Sequence, residues 1–271
     1  MTIPQVEIAL PELTQFVTYL ASQQPNGALS NWQVFSQRVR EFYTSTMMDR
    51  VEWVVPGWRQ MASYADQQTL IHVTAVLTAL FLLPEYQRAT AEQQMLMQWM
   101  VLFHDVAKRA HHSQHDYIHG FRSAAVTGRG LAQAGFPATE GYPELIDEWA
   151  LLTDQAIIFR DDLGEMVQDN RKLPEIISGI DDLFGLQSPA GLIIKGVLLH
   201  VSVVTDPDYP TVAPMTDSEF QQYIDPLCFP LFKMMLLVDA DGWNLFDPQI
   251  QQRHRQQTLA VFDRLETLIG L

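Results

Sequence analysis

The 271-residue sequence is poorest in cysteine, in charge and in long apolar runs. A single thiol, Cys228, excludes a disulfide framework and any thiolate cage for zinc. In its apolar neighbourhood it reads as a small buried hydrophobe. Charged residues make up only 18% of the chain, below the roughly 25% usual for soluble domains. Basic residues are the scarcer kind: 17 Lys and Arg stand against 32 Asp and Glu, a formal net charge of −15. Phosphate backbones need basic faces, so this balance argues against a nucleic-acid polymer as partner. The longest apolar run, residues 73–83, contains Thr74 and Thr78 and falls short of the about 20 residues that a bilayer span requires. The opening MTIPQVEIALPEL has no basic region followed by an apolar stretch. The expectation is a soluble, cytoplasmic protein with no membrane partner. Apolar side chains still reach 47%, which excludes wholesale disorder and supplies a sizeable core. Much of the remaining polar surface is glutamine, present 25 times.

The dominant periodicity is helical. Leu10, Leu13, Phe16, Val17 and Leu20 form one apolar stripe, ended by Pro25-Asn26-Gly27, and Trp32, Phe35, Val39 and Phe42 form a second. Pro56-Gly57 separates this helical hairpin from an apolar helix over 70–83. Thr90-Ala91-Glu92-Gln93 matches a capping box and starts a helix expected to run through Lys108. Further helices are expected over 115–134, from Pro143 to about Phe159, and over 173–183, 189–204, 229–239 and 249–269. Thr216-Asp217-Ser218-Glu219 is a second capping box, and the Pro- and Asp-rich stretch 205–215 reads as a loop. No alternating strand pattern exceeds a few residues, and no repeat has a fixed period. The fold class is therefore all-α. A helical bundle over 57–247 carries an N-terminal helical extension over 1–56 and a C-terminal helix over 248–271.

Five of the eight histidines fall between His104 and His119. His72, His104 and His200 each interrupt or end an otherwise apolar helical run, and His119 opens one. Each such imidazole has two readings, a hydrogen-bonded core histidine or a metal ligand held by a rigid wall. Adjacent His104 and Asp105 lie about 100° apart on a helix and converge on one ion only from its end or side. Lys108 follows four positions after His104, beside candidate ligands, a placement suited to an anionic substrate. His115 and His119 are four apart and share a face, whereas His111, His112 and His254 read as surface. Asp239 ends an apolar segment, where an unpaired buried carboxylate would be expensive. Asp241, two residues on, is the rival candidate.

The order His72, His104-Asp105 with Lys108, the segment His119-Gly120-Phe121-Arg122-Ser123-Ala124, and a late Asp239 resembles the HD-domain superfamily of metal-dependent phosphohydrolases. The resemblance covers roughly residues 65–245 and departs at Gly120, where related sequences commonly carry Glu. It implies an HD-type bundle with His72, His104, Asp105 and Asp239 around a divalent transition metal. This mixed N/O set suits Mn, Fe, Co, Ni or Zn more than Ca. His119 and His200 are the candidates for a second ion, bridged by Asp105. In the implied reaction, water attacks a phosphate ester of a nucleotide or other small phosphorylated metabolite. Asp105 and Lys108 belong to the catalytic group, with Lys108 on the phosphate, and His115 is the candidate proton donor. The same ligand order is similar to that of di-iron oxygenases built on this scaffold, and a non-catalytic metal-binding protein is the third reading. Lys108, Arg109, Arg122 and Arg129 are expected to form one positive pocket in an acidic body. The N-terminal hairpin or the C-terminal helix is the expected seam of any homodimer.

Overall fold

A computed structural model describes residues 3–24, 27–109, 116–205 and 213–271. Among these the chain is all-α apart from one two-stranded hairpin. The N-terminal helices are α1 (Val6–Ala9), α2 (Pro11–Gln23), α3 (Trp32–Phe42), α4 (Ser45–Val54) and α5 (Trp58–Ala62). Then come α6 (Gln68–Leu82), α7 (Pro84–Arg88), α8 (Ala91–Phe103), α9 (His119–Gln133) and α10 (Tyr142–Gln155). The strands β1 (Ile157–Arg160) and β2 (Glu165–Gln168) follow. The chain closes with α11 (Leu173–Phe184), α12 (Pro189–Leu199), α13 (Asp217–Tyr223), α14 (Cys228–Trp243) and α15 (Pro248–Ile269).

Helices apolar all round must be buried all round. That is the case for α6, where every residue from Thr69 to Leu80 is buried, and for α12, where Ala190 to Leu199 are buried. With α8 and α14 they form the centre of the bundle, and α9 packs against α12. The N-terminal segment shares this core. Helices α2 and α3 lie on α6, Trp99 Nε1 donates to Pro4 O at 2.8 Å, and one apolar cluster runs from Ile3 to Leu265. Both capping boxes form, at Thr90–Gln93 and Thr216–Glu219. Cys228 is buried. No helix among the described residues is long and apolar enough to cross a membrane.

Several expected boundaries move. The helix from Thr90 stops at Phe103, five residues before Lys108, because His104 and Asp105 enter a turn whose Lys108 N donates to Asp105 O at 2.9 Å. Helix α9 begins at His119, α12 stops at Leu199 instead of Val204, and α14 extends to Trp243. The helix from Tyr142 ends at Gln155, and Ile157-Ile158-Phe159 leaves it as a strand. β-Branched and aromatic side chains favour that pleated surface. Gly164, at φ +67°, lies in the turn that pairs Phe159 with Met166. This hairpin matters to the site because β2 ends at Gln168, beside the start of α9.

Candidate metal centre

Six side chains expected from the sequence converge in the middle of the bundle: His72 from α6, His104 and Asp105 from the end of α8, His119 from the start of α9, His200 from the end of α12, and Asp239 from α14. They fall into two sets. His72, His104 and Asp239 form one, and Asp105, His119 and His200 the other. Within each set the potential ligand atoms lie within 4.8 Å of one another. Asp105 joins the sets, with Oδ2 3.6 Å from both His72 Nε2 and His104 Nε2, and Oδ1 3.1 Å from His119 Nε2 and 3.7 Å from His200 Nε2. Of the rival acids near the end of α14, Asp239 faces the cluster, with Oδ1 2.9 Å from His72 Nε2. Asp241 instead lines a separate cavity with Leu82, Pro84 and Arg255.

Helix ends supply the positioning. The last carbonyls of a helix have no N–H partner four residues on. His104 and His200 stand at such ends, and each Nδ1 donates at 2.7 Å to the carbonyl three residues back, Val101 O and Val197 O. His119, at the first position of α9, donates its Nδ1 to Asp116 O. Once Nδ1 carries the proton, the neutral ring presents the Nε2 lone pair inward, the orientation that second-shell carbonyls impose on metal-binding histidine. His72 is held differently. Its ring stacks on Trp243 at 4.0 Å between centroids and 17° between planes.

A cation fits this donor set. His119 Nε2 and His200 Nε2 face each other at 3.1 Å, while Nδ1 of each ring already donates to a backbone carbonyl. His104 Nε2 and Asp105 Oδ1 are buried and form no well-directed hydrogen bond. Buried polar atoms left in this state cost free energy, and a bound ion satisfies all of them together. Five of the six residues are almost fully buried, and only Asp239 keeps part of its side chain, 26%, open.

The electrostatics support the same arrangement. Burial pushes Asp105 upward, but Lys108, His104 and His119 outweigh it and hold the carboxyl well below its ordinary range. Burial likewise opposes ionisation of Asp239, and His104 and His72 reverse that. Burial lowers His72 and His200 toward the neutral, ligating form. For His104 burial is outweighed by Asp105 and Asp239, so its pKa rises and a proton competes with an ion there.

Lys108 Nζ donates to Asp105 Oδ2 at 2.7 Å and lies 5.5 Å from the centre of the Trp243 ring. It therefore reaches the site from the turn after α8, not from a shared helix face with His104. His115, the expected proton donor, lies outside the described residues, as do His111 and His112. Sequence reasoning gave no role to four supporting residues. Ser123 Oγ accepts from Ala107 N at 3.1 Å and fixes the turn after Asp105. Asp116 accepts from His119 through its carbonyl and pairs with Arg122 through its carboxylate. Trp243, four residues after Asp239, shares a helix face with it, and that spacing was a readable signal. Gln168 had none: its carboxamide oxygen accepts from Gly120 N at 3.2 Å and Phe121 N at 3.0 Å, capping α9 from the hairpin. Comparison of the chain with family models, with curated proteins and with solved structures gives no match.

Proposed function

We propose that the protein is a metal-dependent phosphohydrolase of the HD type, acting on a small phosphorylated metabolite. The observation that carries this reading is the buried pair of three-donor sets joined by Asp105, with Lys108 against the same carboxylate. His72, His104 and Asp239 would hold one divalent ion, and Asp105, His119 and His200 a second. A bound divalent ion would lower the pKa of water and polarise a phosphoryl oxygen. Asp105 keeps its negative charge at neutral pH because Lys108 and the imidazoles sit beside it. Lys108 offers an ammonium at the edge of the cluster, where a phosphate oxygen can exchange with Asp105 as its partner. Trp243 holds His72 by stacking, and the carbonyls of residues 101, 116 and 197 hold the other three imidazoles.

The test is metal analysis of protein purified without chelator, followed by a panel of phosphomonoesters and phosphodiesters. Bound transition metal and hydrolysis lost in both His104→Ala and Asp105→Asn are expected. Full metal content in both variants would sink the assignment. A second reading has its own support. Each set is two imidazoles and one carboxylate, the donor set of non-haem Fe(II) oxygenases. Iron as the bound metal, oxygen consumption and no phosphatase activity would favour that reading.

A further inference from the structure

A second feature lies against the candidate metal centre and shares only Lys108 with it. Between α5, the turn after α8, α9 and α10 is a cavity of about 270 Å³. Among the described residues its lining contains Lys108, Arg109, Arg122 and Arg129 and one carboxylate, Asp154. The chain has only 17 basic residues in a body of charge −15, so four in one cavity is a local concentration of basic side chains. The rest of the wall is largely apolar and includes Met61, Val106, Ala125 and Ala150.

Three of the four cations have carboxylate partners, Asp105 for Lys108, Asp116 for Arg122 and Asp147 for Arg129, but not all of their donors are used. Arg122 is 9% exposed and pairs with Asp116 through NH2, yet its buried Nε donates to nothing among the described residues. Arg129 meets Asp147 at 3.1 Å in a pair with both side chains open to water. Such a pair is worth little and exchanges readily for a stronger acceptor. The Arg109 guanidinium is exposed and has no carboxylate partner among the described residues. Guanidinium forks match the oxygens of phosphate or carboxylate, and an orphaned buried N–H needs an acceptor. Lys108 lines this cavity while its Nζ stands on Asp105, so the cavity adjoins the metal-binding residues through one side chain.

We propose that the cavity is an anion subsite: Arg109, Arg122 and Arg129 take a phosphate or carboxylate group, and the apolar wall takes a short carbon body attached to it. Its identification as the remote end of a substrate rests on the phosphohydrolase reading; the binding itself does not. A substrate filling both places carries a second anionic group beyond the scissile phosphate. Calorimetric titration of phenyl phosphate into chelator-treated wild type separates the two claims, with phenol and inorganic phosphate as controls. Binding of phenyl phosphate is expected without metal, more tightly than either control, and weakening as salt rises. Arg109→Ala/Arg129→Ala and Arg129→Glu, at exposed positions that leave the fold intact, are expected to weaken it at least tenfold with metal content unchanged. No binding to the metal-free protein, or equal binding by the variants, overturns the subsite even if the metal-loaded protein hydrolyses phosphate esters. Binding that persists in a protein that hydrolyses nothing upholds the subsite and removes only the functional reading.

Discussion

An imidazole becomes a ligand when its other nitrogen has a fixed acceptor, and here the acceptors come from chain geometry and not from further side chains. Val101, Asp116 and Val197 each supply a backbone carbonyl three residues before the histidine it orients. The local frame was thus within reach of the sequence, since His104 and His200 close apolar helices. The division into two sets was not, because it depends on how five helix segments meet. Replacing one ring should therefore act on one set: His200→Ala is expected to lower bound metal by about half, measured as metal per chain, and His104→Ala to do the same from the other set. Equal, unchanged stoichiometry in both would rule out the pairing. The lone thiol gives a separate test. Burial pushes Cys228 up from its ordinary value to about 12. The folded form therefore disfavours thiolate, so its contribution is intact below about pH 9 and is lost as pH rises from 9 toward 12, up to roughly 4 kcal/mol. Native protein at pH 8 is expected to resist a thiol-reactive disulfide reagent and to react fully in denaturant. Rapid labelling of the native chain would contradict the burial.

Helices place these residues through close approaches that need glycine. A Cβ on Gly120 would lie 2.6 Å from the Gln168 carboxamide and 3.1 Å from Leu198 O. Neither α12 nor the capping hairpin leaves room there. A side chain there would displace the Gln168 carboxamide and crowd the end of α12. Gly120→Ala is expected to cost about 1–3 kcal/mol, the usual range for overpacking, and to reduce metal binding through His119. Chemical denaturation with parallel metal analysis reads both effects. Farther along α9, Trp149 fits a slot in which a Cβ on Gly128 would approach to 2.6 Å and one on Gly179 to 2.3 Å, while its Nε1 donates to Ile176 O at 2.9 Å. Gly179→Ala should separate α10 from α11 and destabilise by a similar amount, about 1–3 kcal/mol, with a changed near-ultraviolet dichroism. An unperturbed spectrum and stability would show the slot to be more forgiving than it looks. The apolar stripes and both capping boxes were legible because their causes are local. The hairpin was not: Ile157 to Phe159 continues an apolar run, and only pairing with β2 makes it a strand.

At the scale of the molecule, the centre is a concentration of unmet polarity inside an apolar bundle. Two carboxylates and four imidazoles converge where α6, α8, α9, α12 and α14 meet, and the nearest balancing cation is Lys108. The all-α class could be read from periodicity alone. The extent of the core could not, because the N-terminal helices bury Leu13, Val17 and Phe35 in the same cluster as the helices that carry the six converging side chains. Their sequence shows an apolar stripe but not what it packs against. One consequence is that metal binding at the candidate centre should stabilise the chain broadly, since the helices carrying the six converging side chains span residues 68–243 of that shared core. An ion that binds only the folded state stabilises by about 4 kcal/mol at a thousand times its dissociation constant. For a chain of this size, that corresponds to a rise in Tm of roughly 7 °C. Removing metal with a chelator is therefore expected to lower Tm by several degrees, and restoring the ion after the chelator is dialysed away should reverse the drop. His104→Ala/His200→Ala should show no response to either treatment. The double variant matters most. If it responds to chelator as the wild type does, the ion sits elsewhere, and the convergence of the six side chains is packing, not coordination.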